Sequence, residues 1–294
     1  MNKKKQLERL QKIQSELSPE QREVLKTRKL SGRYSTLKWM KIMKKLALFD
    51  EFGDLLYATI KKKRNWAIAF MIFFFIVALL FNENFSGVPM VAFFVLSLVS
   101  LVLLIVWSRS MKKLRSNDLD NGFRNLVVPL VGIFNEEIKS GTKLLLEVDA
   151  GDPMRKENYT DTQKKQSFHG RTFVNYYSEW LKGNLILVDG AQLYFSSVKK
   201  CQKIKITKRS RSGKTKYKTK IKLREINQFK LVLPKSNYQL QPDQYPHIRK
   251  QETETEIVLK AKITRKSALI DNTSLEVFLN TIHAMYNTVK PLAS

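Results

Sequence analysis

Two uninterrupted apolar runs dominate the hydropathy pattern. The first covers residues 66–81, W-A-I-A-F-M-I-F-F-F-I-V-A-L-L-F, and the second residues 88–107, V-P-M-V-A-F-F-V-L-S-L-V-S-L-V-L-L-I-V-W; neither contains a charge. As helices they would extend about 24 Å and about 30 Å, against a hydrocarbon core of roughly 30 Å. The link between them, N-E-N-F-S-G, is too short for anything but a tight turn. The pattern predicts a transmembrane helical hairpin. Ser97 and Ser100 in the second run either ease helix packing or bond back to their own helix.

Before the hairpin the pattern is amphipathic. Leu7, Leu10, Ile13 and Leu17 predict a short helix over 3–17. Ser18-Pro19-Glu20-Gln21 carries the signature of a capping box with proline at the first helical position. That second helix is expected to stop at Ser31-Gly32. From 33 to 60, Trp39, Ile42, Met43, Leu46 and Phe49 recur at helical spacing, opposed by Lys38, Lys41, Lys44 and Lys45. Such a stripe suits a helix lying in the membrane interface, with Trp39, Lys41, Lys44 and Lys45 among the headgroups. It equally suits a helix packed on a cytoplasmic domain or on a second copy. Gly53 is a candidate break. After the hairpin, helix is expected over 111–140, divided or kinked at Pro129 and ended by Gly141.

From Thr142 the period changes from helical to alternating. Residues 142–149 read as a strand, 150–168 as a polar loop and 171–188 as a further strand, with Gly183 a candidate interruption. Asp189-Gly190 is a strong hairpin signal leading into a strand over 191–208. A turn at Ser212-Gly213 returns the chain over 214–233. These strands exceed the usual length, so a bulge or bend is expected. Prolines 234, 242 and 246 mark an irregular stretch before a strand at 257–263. Thr273-Ser274-Leu275-Glu276 caps a final amphipathic helix. The predicted class is α+β: a two-helix transmembrane hairpin, N-terminal cytoplasmic helices and a C-terminal antiparallel β-rich domain closed by a helix. The expected divisions are 1–64, a basic helical segment; 65–108, the hairpin; 109–141, a helical connector; and 142–294, the β-rich domain.

Charge sets the orientation. Lys61, Lys62, Lys63 and Arg64 precede the first run, Arg109, Lys112, Lys113 and Arg115 follow the second, and the link holds only Glu83. The positive-inside rule places both flanks, and hence both termini, in the cytoplasm of a plasma or bacterial inner membrane. Trp66 and Trp107 then mark one shared interface. The net charge is +27, with 18 basic and 7 acidic residues in 1–64 and 35 and 18 in 108–294. A basic face beside a bilayer attracts anionic lipid.

The densest cluster is the ribbon 203–222. With a two-residue turn at Ser212-Gly213, Arg211 faces Lys214, Arg209 faces Lys216, Lys205 faces Lys220 and Lys203 faces Lys222. Lys218 belongs to the same basic stretch. The opposite face would carry Ile204, Ile206, Tyr217, Thr219 and Ile221. Like charges directly opposite each other destabilise a sheet, so these residues are candidate anion or lipid ligands; a merely solvated face that deters edge-to-edge pairing is the competing reading. Predominance of lysine over arginine, and the lack of interleaved aromatics, favour lipid over nucleic acid. An acidic protein partner or a second copy remains open.

Enzymatic signatures are weak. Ser212-Gly213-Lys214-Thr215 lacks the upstream glycine of a P-loop, having Lys208 there. His169, His247 and His283 are isolated, so no metal site is indicated. Asp149 and Asp152 suit a turn better than paired catalysis. Cys201 is the single cysteine; nearby lysines would lower its pKa, but it has no partner. No catalytic residue and no cofactor is expected. The predicted function is a non-enzymatic, membrane-tethered binding, sensing or scaffold protein. The alternative is a subunit of an oligomeric channel-like or membrane-disrupting effector.

Overall fold

The computed structural model describes residues 3–80, 87–165, 170–210, 212–242, 245–267 and 275–292. The chain divides into two compact units. One comprises Met1–Lys26 and Lys45–Asp118, the other Thr27–Lys44 and Leu119–Ser294.

The first unit is helical. It contains α1 (Lys3–Glu16), α2 (Pro19–Thr27, less its last residue), most of α3 (Thr36–Leu80) and α4 (Gly87–Ser116). The capping box at the start of α2 forms as expected: the Ser18 N–H donates to Gln21 Oε1 (2.9 Å) and the Gln21 N–H to Ser18 Oγ (3.2 Å). Thr59 Oγ1 donates to Gln6 Oε1, tying α3 to α1, and the Arg115 guanidinium of α4 lies 5.2 Å from the Tyr57 ring centroid of α3. Gly53 does not interrupt α3, which runs unbroken for 45 residues. Among the described residues one helix segment, Val91–Ser116, is long and apolar enough to cross a membrane, and only 6% of its most apolar stretch is buried. Ser100 Oγ donates to Leu96 O, bonding back into its own helix. The link at 81–86 lies outside the described residues.

The second unit is built on an antiparallel sheet. Its order is β1 (Lys29–Tyr34), β2 (Leu144–Asp149), β4 (Arg171–Ile186), β5 (Gln192–Arg209), β6 (Thr215–Pro234), β9 (Glu256–Ser267) and β8 (Ile248–Glu252), with β3 (Tyr159–Lys165) also paired to β4. A small second sheet joins β7 (Tyr238–Leu240) to β10 (Val289–Pro291). The α+β class and the large antiparallel sheet agree with the sequence pattern. The Asp189-Gly190 turn forms, with Gly190 at φ +86°.

Several boundaries differ. Helix α2 ends at Thr27 rather than at Ser31-Gly32, because Arg28 adopts a left-handed φ of 58° and turns the chain into strand β1. Leu30 is buried there, and Tyr34 pairs with Leu144. Helix does not continue through 111–140. It stops at Ser116 and resumes as a π-helical turn at Phe123–Val127 followed by α5 (Val128–Glu137), which opens with Pro129 where a missing N–H is tolerated. The polar loop after β2 contains β3. Gly183 does not interrupt β4; a Cβ there would run into the Phe195 ring, so glycine lets that ring of β5 cover the strand. The bulge expected in the strands over 191–208 and 214–233 does not appear between β5 and β6, whose register is unbroken; an irregularity falls instead in β4 at Glu179/Leu181, where Trp180 is the extra residue. The cap at 273–274 lies outside the described residues.

One sheet face is covered by helix. Phe278 of α6 (Leu275–Tyr286) meets Phe195 and Phe229 edge-on at 5.3 and 4.7 Å. Phe134 of α5 approaches Phe195 at 5.7 Å. The first turns of α3 close the remainder. Trp39, expected among headgroups, is 0% exposed; its indole N–H donates to Leu144 O at 3.0 Å, and Tyr34 packs on it. Trp39 itself is buried against the sheet, so the interfacial assignment is wrong for Trp39. Lys41, Lys44 and Lys45 remain exposed, with Lys45 Nζ donating to Glu16 O. Trp66 is 58% exposed, and Trp107 is half-buried.

The covered face also encloses polar groups. Trp180 Nε1 donates to Ser197 Oγ (2.7 Å) and Glu225 Oε1 (3.1 Å), and Lys199 Nζ pairs with Asp120 Oδ2 at 2.9 Å. Farther along, both Tyr238 and Tyr286 donate to Asp189 Oδ2, so the hairpin turn anchors β7 and α6.

Candidate anion-binding face

On the opposite face of the same sheet Lys200, Arg224, Lys230, Arg249, Lys260 and Lys266 are exposed, and the side chains are set by strand register. In β5 and β6, Tyr194 pairs with Lys230, Lys200 with Arg224 and Lys208 with Lys216. Extending these pairs across the sheet gives two rows of cations. In the first, Tyr194 is followed by Lys230, Lys260 and Arg249 on successive strands. In the second, Tyr177 is followed by Lys200, Arg224 and Lys266. The rows stand six residues apart along β5, β6 and β9, roughly 20 Å. Each begins at a tyrosine overlain by its lysine: Lys230 Nζ is 5.3 Å from the Tyr194 ring centroid, and Lys200 Nζ is 5.7 Å from that of Tyr177.

Each row lines a groove. The first groove has a volume near 970 Å³ and also receives Lys182, Lys262 and His247, together with one carboxylate, Glu179. The second, near 780 Å³, adds Lys222 and the amides of Asn175 and Gln202. Lys182 reaches Glu147 at 3.8 Å. Among the described residues, no carboxylate pairs with Lys230, Lys260, Arg249, Lys200, Arg224 or Lys266. Three adjacent cations on neighbouring strands repel each other, which costs several tenths of a kcal/mol per direct pair. A bound anion would relieve that repulsion.

The ribbon picked out from sequence contributes differently from its expected geometry. Its loop holds five residues, 210–214, with Ser210 N–H donating to Lys214 O and Gly213 at φ +77°. Register is therefore one residue off the two-residue-turn expectation, and a slip of one exchanges the faces. Lys203 now pairs with Ile221, Lys205 with Thr219 and Ile204 with Lys220. Lys216, Lys218, Lys220 and Lys222 share the open face, while Lys203 and Lys205 lie on the face of Cys201. Only Lys208 and Lys216 form a directly opposed pair of cations in this ribbon among the described residues. Arg209 pairs by backbone with Thr215, Lys214 lies in the loop, and Arg211 lies outside the described residues. Tyr217, expected to face inward, is 80% exposed.

The other chemical candidates have structural roles. Asp149 accepts from the Arg155 guanidinium (2.6 Å) and from the Gly151 N–H, and Asp152 accepts from the Met154 N–H. Both are turn acceptors. The Cys201 thiol is not activated: burial pushes its pKa up from 9.0 to about 11, outweighing the opposing effect of Lys199. His169 lies outside the described residues.

Lys182, Arg224, Lys230, Arg249, Lys260, Lys262 and Lys266 do not stand out in the sequence. They are scattered over four strands, and each strand reads as ordinary alternation. The available signal is a period of two in the cations at 222, 224 and 230 and at 260, 262 and 266. Comparison with family models, curated proteins and solved structures gave no match.

Proposed function

We propose that this chain is a membrane-anchored, non-enzymatic binding protein. A two-helix transmembrane hairpin holds it in a plasma or inner membrane, and its cytoplasmic β-rich unit offers the open sheet face to an anionic ligand. One observation carries the anchoring. Strand β1 precedes both apolar stretches and β2 follows them, yet the two pair residue for residue in one sheet. They must lie on the same side of any bilayer, so the intervening chain crosses it an even number of times. If Val91–Ser116 crosses once, the stretch of α3 beginning at Trp66 is the apolar segment available for the other crossing.

Further support comes from the surface of these helices. Phe73, Phe75, Val91, Phe94 and Val102 are each at least half exposed, an apolar area that water does not tolerate but lipid does. Phe74 and Phe93 stack at 6.3 Å, as helices of a hairpin would. The lysine and arginine flanks support the cytoplasmic side. The cation rows, without a carboxylate partner among the described residues, support the binding role.

The test uses the full-length chain. Reporters fused to either terminus should both register in the cytoplasm, and the protein should resist alkaline extraction from membranes. Reporters on opposite sides would overturn the hairpin. Reconstituted in zwitterionic nanodiscs, the protein should bind polyanions with an affinity that falls as salt rises; indifference to every polyanion at low salt would end the binding role.

A further inference from the structure

We propose that the open face binds single-stranded nucleic acid, with phosphates on the cation rows and bases against Tyr194 and Tyr177. This inference rests on the anion-binding role proposed for the same face and names its ligand.

Three observations favour a flexible polymer over a lipid surface. The first is shape. Neighbouring strands in a sheet rotate by roughly 20–25° each. From β4 through β5, β6 and β9 to β8 that accumulates to about 80–100°. A plane can touch only a strip of so twisted a face, whereas a flexible chain can follow it from Arg249 to Lys200. The second is composition. The large apolar side chain most exposed at the two rows is Tyr177, at 45%. Among the described residues, no exposed aliphatic or tryptophan side chain that would enter a bilayer is offered there. Tyrosine rings with cations beside them are what base stacking uses, because every base has a π face. The third is what lies between the cations. Ser196 and Gln228 occupy the row between Lys182 and Lys262, while Gln202, beside Lys222, donates to Asn175 Oδ1, and Asn175 in turn donates to Asp161 Oδ1. Amides and hydroxyls spaced among cations can bond to base edges and sugars. Headgroup attraction needs charge alone.

The rows also supply length. A single phosphate-bearing small molecule fits one groove; it does not reach a second set of cations about 20 Å away. A strand of linked phosphates engages both, which couples them in one binding event.

The experiment uses full-length protein in phosphatidylcholine nanodiscs, with fluorescein-labelled oligo-dT and oligo-U read by anisotropy. Competitors are the matching duplex and phosphatidylserine vesicles. Wild type should bind the single strand at least tenfold more tightly than the duplex. Replacing Lys230, Lys260 and Arg249 with glutamine should reduce the slope of log affinity against log salt by about 0.7 for each phosphate no longer neutralised. Tyr194→Ala with Tyr177→Ala should weaken binding at least fivefold, and the corresponding phenylalanine variants should restore it because they keep the rings. These side chains are exposed except Tyr194, which is half-buried; circular dichroism of each variant checks that the sheet persists. Binding of phosphatidylserine vesicles but not oligonucleotide would overturn the inference and leave the anion-binding role standing. Equal affinity for duplex and single strand, or indifference to the alanine pair, would also overturn it. Binding of neither vesicle nor oligonucleotide would overturn both.

Discussion

The two faces of the large sheet are made by the same strands and obey opposite rules. Beneath the helices, the buried charges Lys199 and Glu225 are each held. Lys199 is 1% exposed and meets Asp120, while Glu225 receives Trp180 and Ser197. On the open face, six cations stand in two rows with no carboxylate partner among the described residues. A buried charge without a partner is severely costly. An exposed one is merely repelled by its neighbours. The sheet can therefore hold rows of like charge on one side because the other side supplies the stability. The contrast predicts that substitutions on the two faces differ in size and, for some, in sign.

The largest effects belong to the covered face. Phe195→Ala or Phe278→Ala should destabilise by about 3–5 kcal/mol, read as a lowered denaturation midpoint of the full-length protein. Lys199→Met alone removes the cation facing the buried Asp120 carboxylate and should cost about 3–5 kcal/mol; adding Asp120→Leu should recover part of it, the Gly122 N–H then losing its acceptor. If the double variant is as unstable as the single, the two residues are not a coupled unit. Next comes Asp189→Ala, which leaves the Tyr238 and Tyr286 hydroxyls without their acceptor, at about 1–3 kcal/mol.

The alkaline limb of stability should report the same burial. Folding raises the Cys201 pKa from 9.0 to about 11 and that of Tyr238 from 10.0 to about 12, chiefly by burial, with Asp189 adding to the latter; Tyr286 is raised for the same reasons. A raised folded pKa contributes stability that is complete below the unfolded value and lost as pH climbs through the folded one. Stability should thus fall from about pH 9 upward, and Cys201→Ser should flatten the slope toward pH 11. An unchanged slope would show that the thiol is not buried in solution.

The smallest effect has the opposite sign. Lys260→Gln removes the central cation of a row, so it should stabilise the fold by up to about 1 kcal/mol while weakening polyanion binding. A loss of stability would mean that Lys260 has a supporting role and that the two faces are less distinct than their burial implies.

Much of this fold is legible in the sequence. The alternation over 144–149, the Asp189-Gly190 turn, the Ser18–Gln21 box and the last helix each depend on neighbours within a few positions, and local pattern captures these. The strand at 29–34 reads as the end of a helix, since its reason for existing is a partner lying beyond both apolar stretches. Trp39 misleads for a related reason: a tryptophan and lysine stripe fits lipid and protein alike until the acceptor at Leu144 is known. The basic face is legible only as an excess of charge. Its rows need the register of β4, β5, β6, β9 and β8 together, and an error of one residue in a single loop length moves half the ribbon's lysines to the wrong side.

The pairing of β1 with β2 has a consequence for how the molecule is made. A ribosome delivers Lys29–Tyr34 first, then the greasy segments, and only afterwards the edge that Lys29–Tyr34 must join. In the proposed hairpin, insertion would be committed while that early strand still waits, and an arrest of translation before Leu144 would leave it bare, a length of unsatisfied backbone for a chaperone to guard.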